Sequence, residues 1–418
     1  MPILIRVANL EPGMCLAANL VNRYSVLLPH GHTLSEKDIA SLTRRIPDEM
    51  VQVIDPLLDQ IVDFQDNSHD QNVSQTVRKN VATVVSKVSS QIRTGVSLTS
   101  DNIVGMQNTI DEMLNYLQQN PVTMALIEQS GGWDDYLQQH SSNVFYLSIV
   151  IGNTIRNYIM NERHRLTAAK QIRNPMNLTP LATAALFHDI GMVPLEHLYH
   201  KEEPLTNEEK QMIRNHPHAG AEMLPDKVDS MVRLVVRSHH ENQNGTGYPE
   251  GIPADKINIF AKIIRVADAY TAAISDKAYQ KKKLSAAVLY EMLHSKHRAF
   301  YDPVVLKVFS SIVPPFPIGA KLKVQNSTGI QWAVVVRHNH KNPFQPEVII
   351  AFDELGDPIP VEQIKPPFHL DKHQNTKILS FAGEDMSFLN NLADDIDSVE
   401  NDSPVEQTYN KLLDFSFP

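Results

Sequence analysis

Seven residues in the middle of the chain could together hold cations: His140, His188, Asp189, His216, His239, His240 and Asp268. Nine of the 18 histidines fall between His140 and His240, about a quarter of the chain. That crowding on apolar, helix-like segments is what makes a metal site worth testing. His188-Asp189 ends the apolar run 181–187, and His239-His240 ends the run 231–236. His216 precedes Pro217 and a helix-like stretch, and His140 precedes an amphipathic segment. Asp268 lies four residues past Ile264, on the apolar stripe of its own segment. A bare carboxylate buried there is costly, so it needs a cation, an Arg or a proton. His188 to His216 is 28 residues, and so is His240 to Asp268. Each interval is enough for a helix, a turn and a return. Five His and two Asp, with no Cys among them, suit octahedral iron or manganese better than a closed tetrahedral zinc site.

The elements that must position these residues read as mainly helical. Residues 1–55 form a small β-rich module, with apolar runs at 3–7, 14–21 and 25–28 separated by turn chemistry at Glu11-Pro12-Gly13 and Pro29-His30-Gly31. Within it, residues 35–45 read as a capped helix and 51–54 as a strand. Residues 56–128 read as a linker followed by an amphipathic helical stalk. There Val73, Val77, Val81, Val84, Val85 and Val88 recur at helical spacing, for core packing or for a homodimer face. Residues 129–313 continue as helices, until Pro314-Pro315-Phe316-Pro317 stops them. A small C-terminal β subdomain is expected over 314–370, with strands near 320–324, 332–337 and 347–352. An acidic, flexible tail is expected over 371–418.

Composition narrows the partners. A chain of 418 residues with 42% hydrophobic and 21% charged residues is expected to form two or three domains, not a disordered tail or a membrane bundle. Its longest apolar stretch, 144–155, is interrupted by Ser148, Gly152 and Asn153. A spanning helix needs roughly 20 apolar residues. The start shows no basic region or long apolar run, so no secretory signal is expected. Cys15 is the sole cysteine, which excludes an intrachain disulfide and makes the cytoplasm the expected location. Of the net charge of −10, residues 383–418 carry −8. The balanced body has no basic field for duplex nucleic acid. The N-terminal module and the acidic tail are the surfaces expected to meet protein partners.

After the His pair, Glu241 leads into a tight loop with Gly245, Gly247, Tyr248 and Pro249. The loop matches neither the dinucleotide fingerprint nor a phosphate-loop lysine motif. His188-Asp189 followed by Gly247-Tyr248-Pro249, in this order and spacing, resembles the HD-GYP phosphohydrolases, bacterial metal enzymes that hydrolyse cyclic di-GMP. The resemblance covers about residues 130–312. It is carried also by His140-Ser141, Ile190-Gly191, Pro204-Leu205-Thr206, His216-Pro217, His239-His240-Glu241 and Val266-Ala267-Asp268-Ala269-Tyr270.

The resemblance implies a helical bundle with a dinuclear centre of two divalent metal ions, iron or manganese. His140, His188, Asp189 and Asp268 would hold one. Asp189 would bridge to the other, completed by His216, His239 and His240. A hydroxide between the metals would attack phosphorus, with His188, Asp189 and Glu241 as the catalytic residues, Glu241 by orienting a ligand or the loop. Gly247, Tyr248, Pro249 and Lys277 would bind substrate. Two departures touch the phosphate-binding cations. Met192 stands where the family has Lys, and Lys277-Ala278-Tyr279-Gln280 replaces Arg-Pro-Tyr-Arg. Tyr136 occupies the place of the extra Glu that some members use for a third metal.

The expected function is hydrolysis of cyclic di-GMP to linear pGpG, GMP or both. Two other readings follow from the departures: an HD phosphohydrolase for another nucleotide, and a cyclic di-GMP-binding regulatory or scaffold protein with little or no turnover. Other histidines carry less. The pairs His294/His297, His338/His340 and His30/His32 read as helical-face or turn residues, and Trp133 and Trp332 are too far apart to make a stacking platform.

Overall fold

The computed structural model describes residues 2–22, 25–47, 49–62, 68–122, 124–125, 136–160, 177–199, 201, 203–275, 283–293, 295–372 and 376–391. The protein is mainly helical with a smaller antiparallel β part, as the periodicities predict. It divides into two compact units, one β-rich and one helical.

The β-rich unit draws on both parts of the chain that read as separate small modules. Its N-terminal part has β1 (Pro2–Arg6) paired with β4 (Met50–Ile54) and β2 (Leu20–Asn22) paired with β3 (Ser25–Leu28). It also carries α1 (Glu36–Arg45) and α2 (Pro56–Ile61). Ser35 and Asp38 form a reciprocal cap on α1, which satisfies donors that the first turn leaves open. Its C-terminal part is a six-stranded antiparallel sheet in the order β10-β9-β5-β6-β7-β8. The strands are β5 (Lys321–Asn326), β6 (Gly329–Arg337), β7 (Glu347–Phe352), β8 (Phe368–His369), β9 (Lys377–Phe381) and β10 (Glu384–Asp385). Ile3, Val7, Leu16, Val51 and Val53 share one apolar core with Val334, Val336, Ile349 and Phe352. Leu4 N–H donates to Gly319 O at 2.8 Å, where Gly319 has φ +83° and a Cβ would crowd Pro2 O.

The sheet reaches into the segment expected to be a flexible tail. β9 pairs with β5, burying Ile378 and Phe381, and Met386 and Leu389 are buried beyond it. Those apolar residues give the chain a reason to fold as far as Asn391 despite its acidity. Residues 392–418 lie outside the described residues.

The helical unit is built around α5 (Tyr136–Thr154), which is buried on nearly every face from Leu137 to Gly152. Against it pack α3 (Ser68–Arg93), α6 (Thr179–Phe187), α10 (Ile259–Ile274) and α11 (Pro303–Ile312). The valine stripe of α3 is buried on α5, so these residues serve the bundle core and do not form a separate stalk or a free dimer face. α4 (Ser100–Gln119) covers α6. The rest of the scaffold is α7 (Asn207–Arg214), α8 (His216–Met223) and α9 (Ser230–Ser238). Among the described residues no helix is long and apolar enough to cross a membrane.

Candidate metal centre

Most of the seven donors sit at helix ends, where the chain turns and a side chain can reach into the space between helices. His188 follows the last residue of α6, and Asp189 leads into the 3-10 turn Ile190–Leu195. His216 opens α8, and His239 caps α9 with His240 next. His140 and Asp268 project from the interiors of α5 and α10. Gly191 makes this geometry possible. A Cβ there would overlap His216 O and Gly220 N, so only glycine lets α8 approach the turn after Asp189 this closely.

The side chains converge on Asp189. His216 Nε2 lies 3.0 Å from Asp189 Oδ1, and His239 Nε2 lies 3.8 Å from the same oxygen. His140 Nε2 and His188 Nε2 are each 3.5 Å from Asp189 Oδ2. Two groups of donor atoms result, each within 4.8 Å of one another: His140, His188 and Asp189, and Asp189, His216, His239 and His240. Asp268 lies between them, its Oδ1 3.1 Å from His140 Nε2 and its Oδ2 3.4 Å from His240 Nδ1.

Three of the rings are oriented by one local device. His188, His216 and His239 each donate Nδ1–H to the carbonyl three residues earlier: Ala185 at 2.9 Å, Ile213 at 2.6 Å and Val236 at 2.6 Å. Those carbonyls belong to the last turns of α6, α7 and α9. The bonds fix the tautomer and leave Nε2 as an inward-facing lone pair. His140 is held differently. The Thr271 hydroxyl donates to Ala267 O at 2.9 Å and accepts from His140 Nδ1 at 3.2 Å. The Tyr136 ring also stacks on His140 at 5.4 Å and 6°. His240 stacks between His239, at 4.2 Å, and Tyr248, at 4.6 Å.

This donor set fits a cation. His188 and His140 face each other Nε2 to Nε2 at 3.4 Å, and His216 and His239 at 3.2 Å. With Nδ1 already donating, such pairs oppose lone pair to lone pair unless a positive charge stands between them. Burial pushes His188 and His240 down, and His239 down to about 3, which keeps them neutral as ligands must be. Burial opposes ionisation of Asp189, yet His188 and His216 hold it well below the usual carboxylate range. Asp268 is likewise lowered against its burial, by His240 and His140. His216 is raised: burial opposes this, but the bond to Asp189 favours its proton.

Glu241 is directed away from the metal donors. Its Oε1 accepts from the amides of Glu250 at 2.8 Å and Gly251 at 3.1 Å, and Oε2 from Ile252 at 3.2 Å. Both of its oxygens thus hold the loop 241–253. Gly247 is required there, because a Cβ would overlap backbone atoms of His240, Glu241 and Asn242. Pro249, joined to Tyr248 by a cis peptide, is exposed. Met192 is buried in an apolar cluster with Leu137 and Val193, where it serves packing. Lys277 lies outside the described residues. Thr271, beside His140, is a position that motif reading passes over. Thr271 had a signal in its place three residues past Asp268, on the same helical face.

The fold and donors define a helical bundle with a histidine- and aspartate-lined metal centre. Residues 151–305 match the model of the HD domain family. His140 lies ahead of the matched segment. The chain is 28% identical over 260 residues to the cyclic di-GMP phosphodiesterase PA4108 of Pseudomonas aeruginosa, covering 61% of this chain and 58% of that one. It is 29% identical over 211 residues to the cyclic di-GMP phosphodiesterase PdeB of Borreliella burgdorferi, half of each chain. It thus spans little more than half the length of these relatives. Among solved structures, Bd1817, an HDGYP protein from Bdellovibrio bacteriovorus, aligns with TM-score 0.42 and 16% identity, over 73% of this chain and 97% of that one.

Proposed function

We propose that the protein is a metal-dependent phosphodiesterase that hydrolyses cyclic di-GMP to linear pGpG, GMP or both. The observation that carries this is the sharing of Asp189 by two groups of convergent donors. His140, His188, Asp189 and Asp268 would hold one divalent ion, and Asp189, His216, His239 and His240 the other, iron or manganese. When bound, the ions supply a water nucleophile usable near neutral pH and neutralise charge on the phosphate oxygens. The chain's own residues do the rest. Asp189 belongs to both donor groups and would serve both ions. The last-turn carbonyls of three helices keep the Nε2 atoms aimed inward, and Glu241 sets the loop so that Tyr248 walls the substrate space beside His240. The curated relatives PA4108 and PdeB support the choice of substrate.

A buried, apolar Met192 favours one second reading, a different cyclic dinucleotide as the preferred substrate. The test is anaerobic incubation of iron- or manganese-loaded protein with cyclic di-GMP and related cyclic dinucleotides, with products separated by chromatography. Linear dinucleotide or GMP, absent with Asp189→Ala, is the expected result. Absence of product from fully loaded protein contradicts it and leaves a binding or scaffold role.

A further inference from the structure

We propose that Arg214 is a substrate-binding residue of this site, its guanidinium taking a phosphate of the cyclic dinucleotide at the rim of the metal centre. This rests on the phosphodiesterase reading above. Arg214 ends α7, one residue after Ile213, whose carbonyl orients the His216 ring. Its position is therefore tied to a donor. The Arg214 Cζ lies 4.7 Å from the centre of the Tyr248 ring, and that ring stacks on His240 at 4.6 Å. A chain of contacts thus runs from the guanidinium to the centre through one aromatic ring.

Among the described residues, the other basic side chains near the site are engaged. Arg233 donates to the carbonyls of Ala221, Leu224 and Pro225, and Arg237 pairs with Glu250. Arg265 donates to Asn242, and Lys262 is buried against Asp302. Arg214 is exposed and makes no ion pair or hydrogen bond with the described residues. A cyclic dinucleotide carries two phosphodiester anions. One at the metals leaves the second to be met by a separate cation. A guanidinium fork matches phosphate oxygens in pairs, and stacking on Tyr248 orients it beforehand.

The experiment compares manganese-loaded wild type, Arg214→Ala and Arg214→Lys on cyclic di-GMP and on bis(p-nitrophenyl) phosphate, a diester with one phosphate. Manganese per chain is measured for each protein. Arg214→Ala is expected to raise KM for cyclic di-GMP about tenfold and to lower the ratio of kcat/KM between the two substrates by a similar factor. Arg214→Lys recovers part of that ratio, because the charge returns without the fork. An unchanged ratio, or a proportional loss on both substrates, overturns the inference and leaves Arg214 as a support for Tyr248 alone. A wild-type protein that neither binds nor hydrolyses cyclic di-GMP overturns the functional reading and the inference with it. That outcome is visible before any variant is made.

Discussion

His188, His216 and His239 differ from His140 and His240 in what holds them. The first three are tied to carbonyls three residues away, so each helix end sets its own ligand. The other two depend on residues far off in the chain. Thr271 is 131 positions from His140, and His240 relies on Asp268 and on the Tyr248 ring. A donor anchored by its own helix end is correct as soon as the helix forms. One anchored by distant side chains is correct only when the bundle has closed. Asp189 joins both kinds.

The largest effect should come from removing that junction. Asp189→Asn keeps the shape but withdraws the shared charge. Turnover should fall by at least about a thousandfold, with the far-ultraviolet circular dichroism unchanged. Loss of activity below tenfold would mean the two groups work independently. Thr271→Val probes the remote kind of anchor. It frees the His140 ring and should weaken metal binding there by about 10- to 100-fold, while the donors on helix ends keep theirs. Equal weakening at both groups, read by competition with a fluorescent chelator, would erase the distinction.

Glu241→Gln loosens the grip on the amides of 250–252 without touching a metal donor. The expected change is a several-fold rise in KM for cyclic di-GMP with metal content intact, on the scale of about 1–2 kcal/mol for a hydrogen bond to a charged group. The smallest effect is a proton. Asp189 raises His216 above its usual 6.5, so a metal must displace that proton to bind Nε2. Manganese affinity should rise with pH toward the raised pKa of His216 and level off above it, with proton release on binding below it. The stabilisation that His216 gives the unloaded chain fades over the same window, because a group whose pKa is raised by folding contributes below it. Calorimetry in buffers of different ionisation enthalpy would expose the proton, and pH-independent loading would contradict its assignment.

What the sequence made legible follows from the same division. Apolar runs that end in His188-Asp189 or His239-His240 announce both the helix and the donor at its end. The α1 cap and the strands of the C-terminal sheet were equally visible, because their signals are local. Remote pairings left weaker marks. Nothing near Leu4 points to Gly319, and the acidity of residues 383–418 hides Met386 and Leu389, which are buried just beyond β9. The stripe of α3 shows that something covers it but cannot say that α5 of the same chain does. Glu241 was legible as a candidate, and only the structure shows both of its oxygens turned toward the loop.

The most direct test of the shared centre is the number of metal ions per chain, by mass spectrometry of the metal, in wild type, His140→Ala and His239→Ala reconstituted with manganese. The account predicts about two ions in wild type and about one in each variant, each losing a different group while Asp189 keeps the other. One ion in wild type, or variants that bind as many as wild type does, would contradict it.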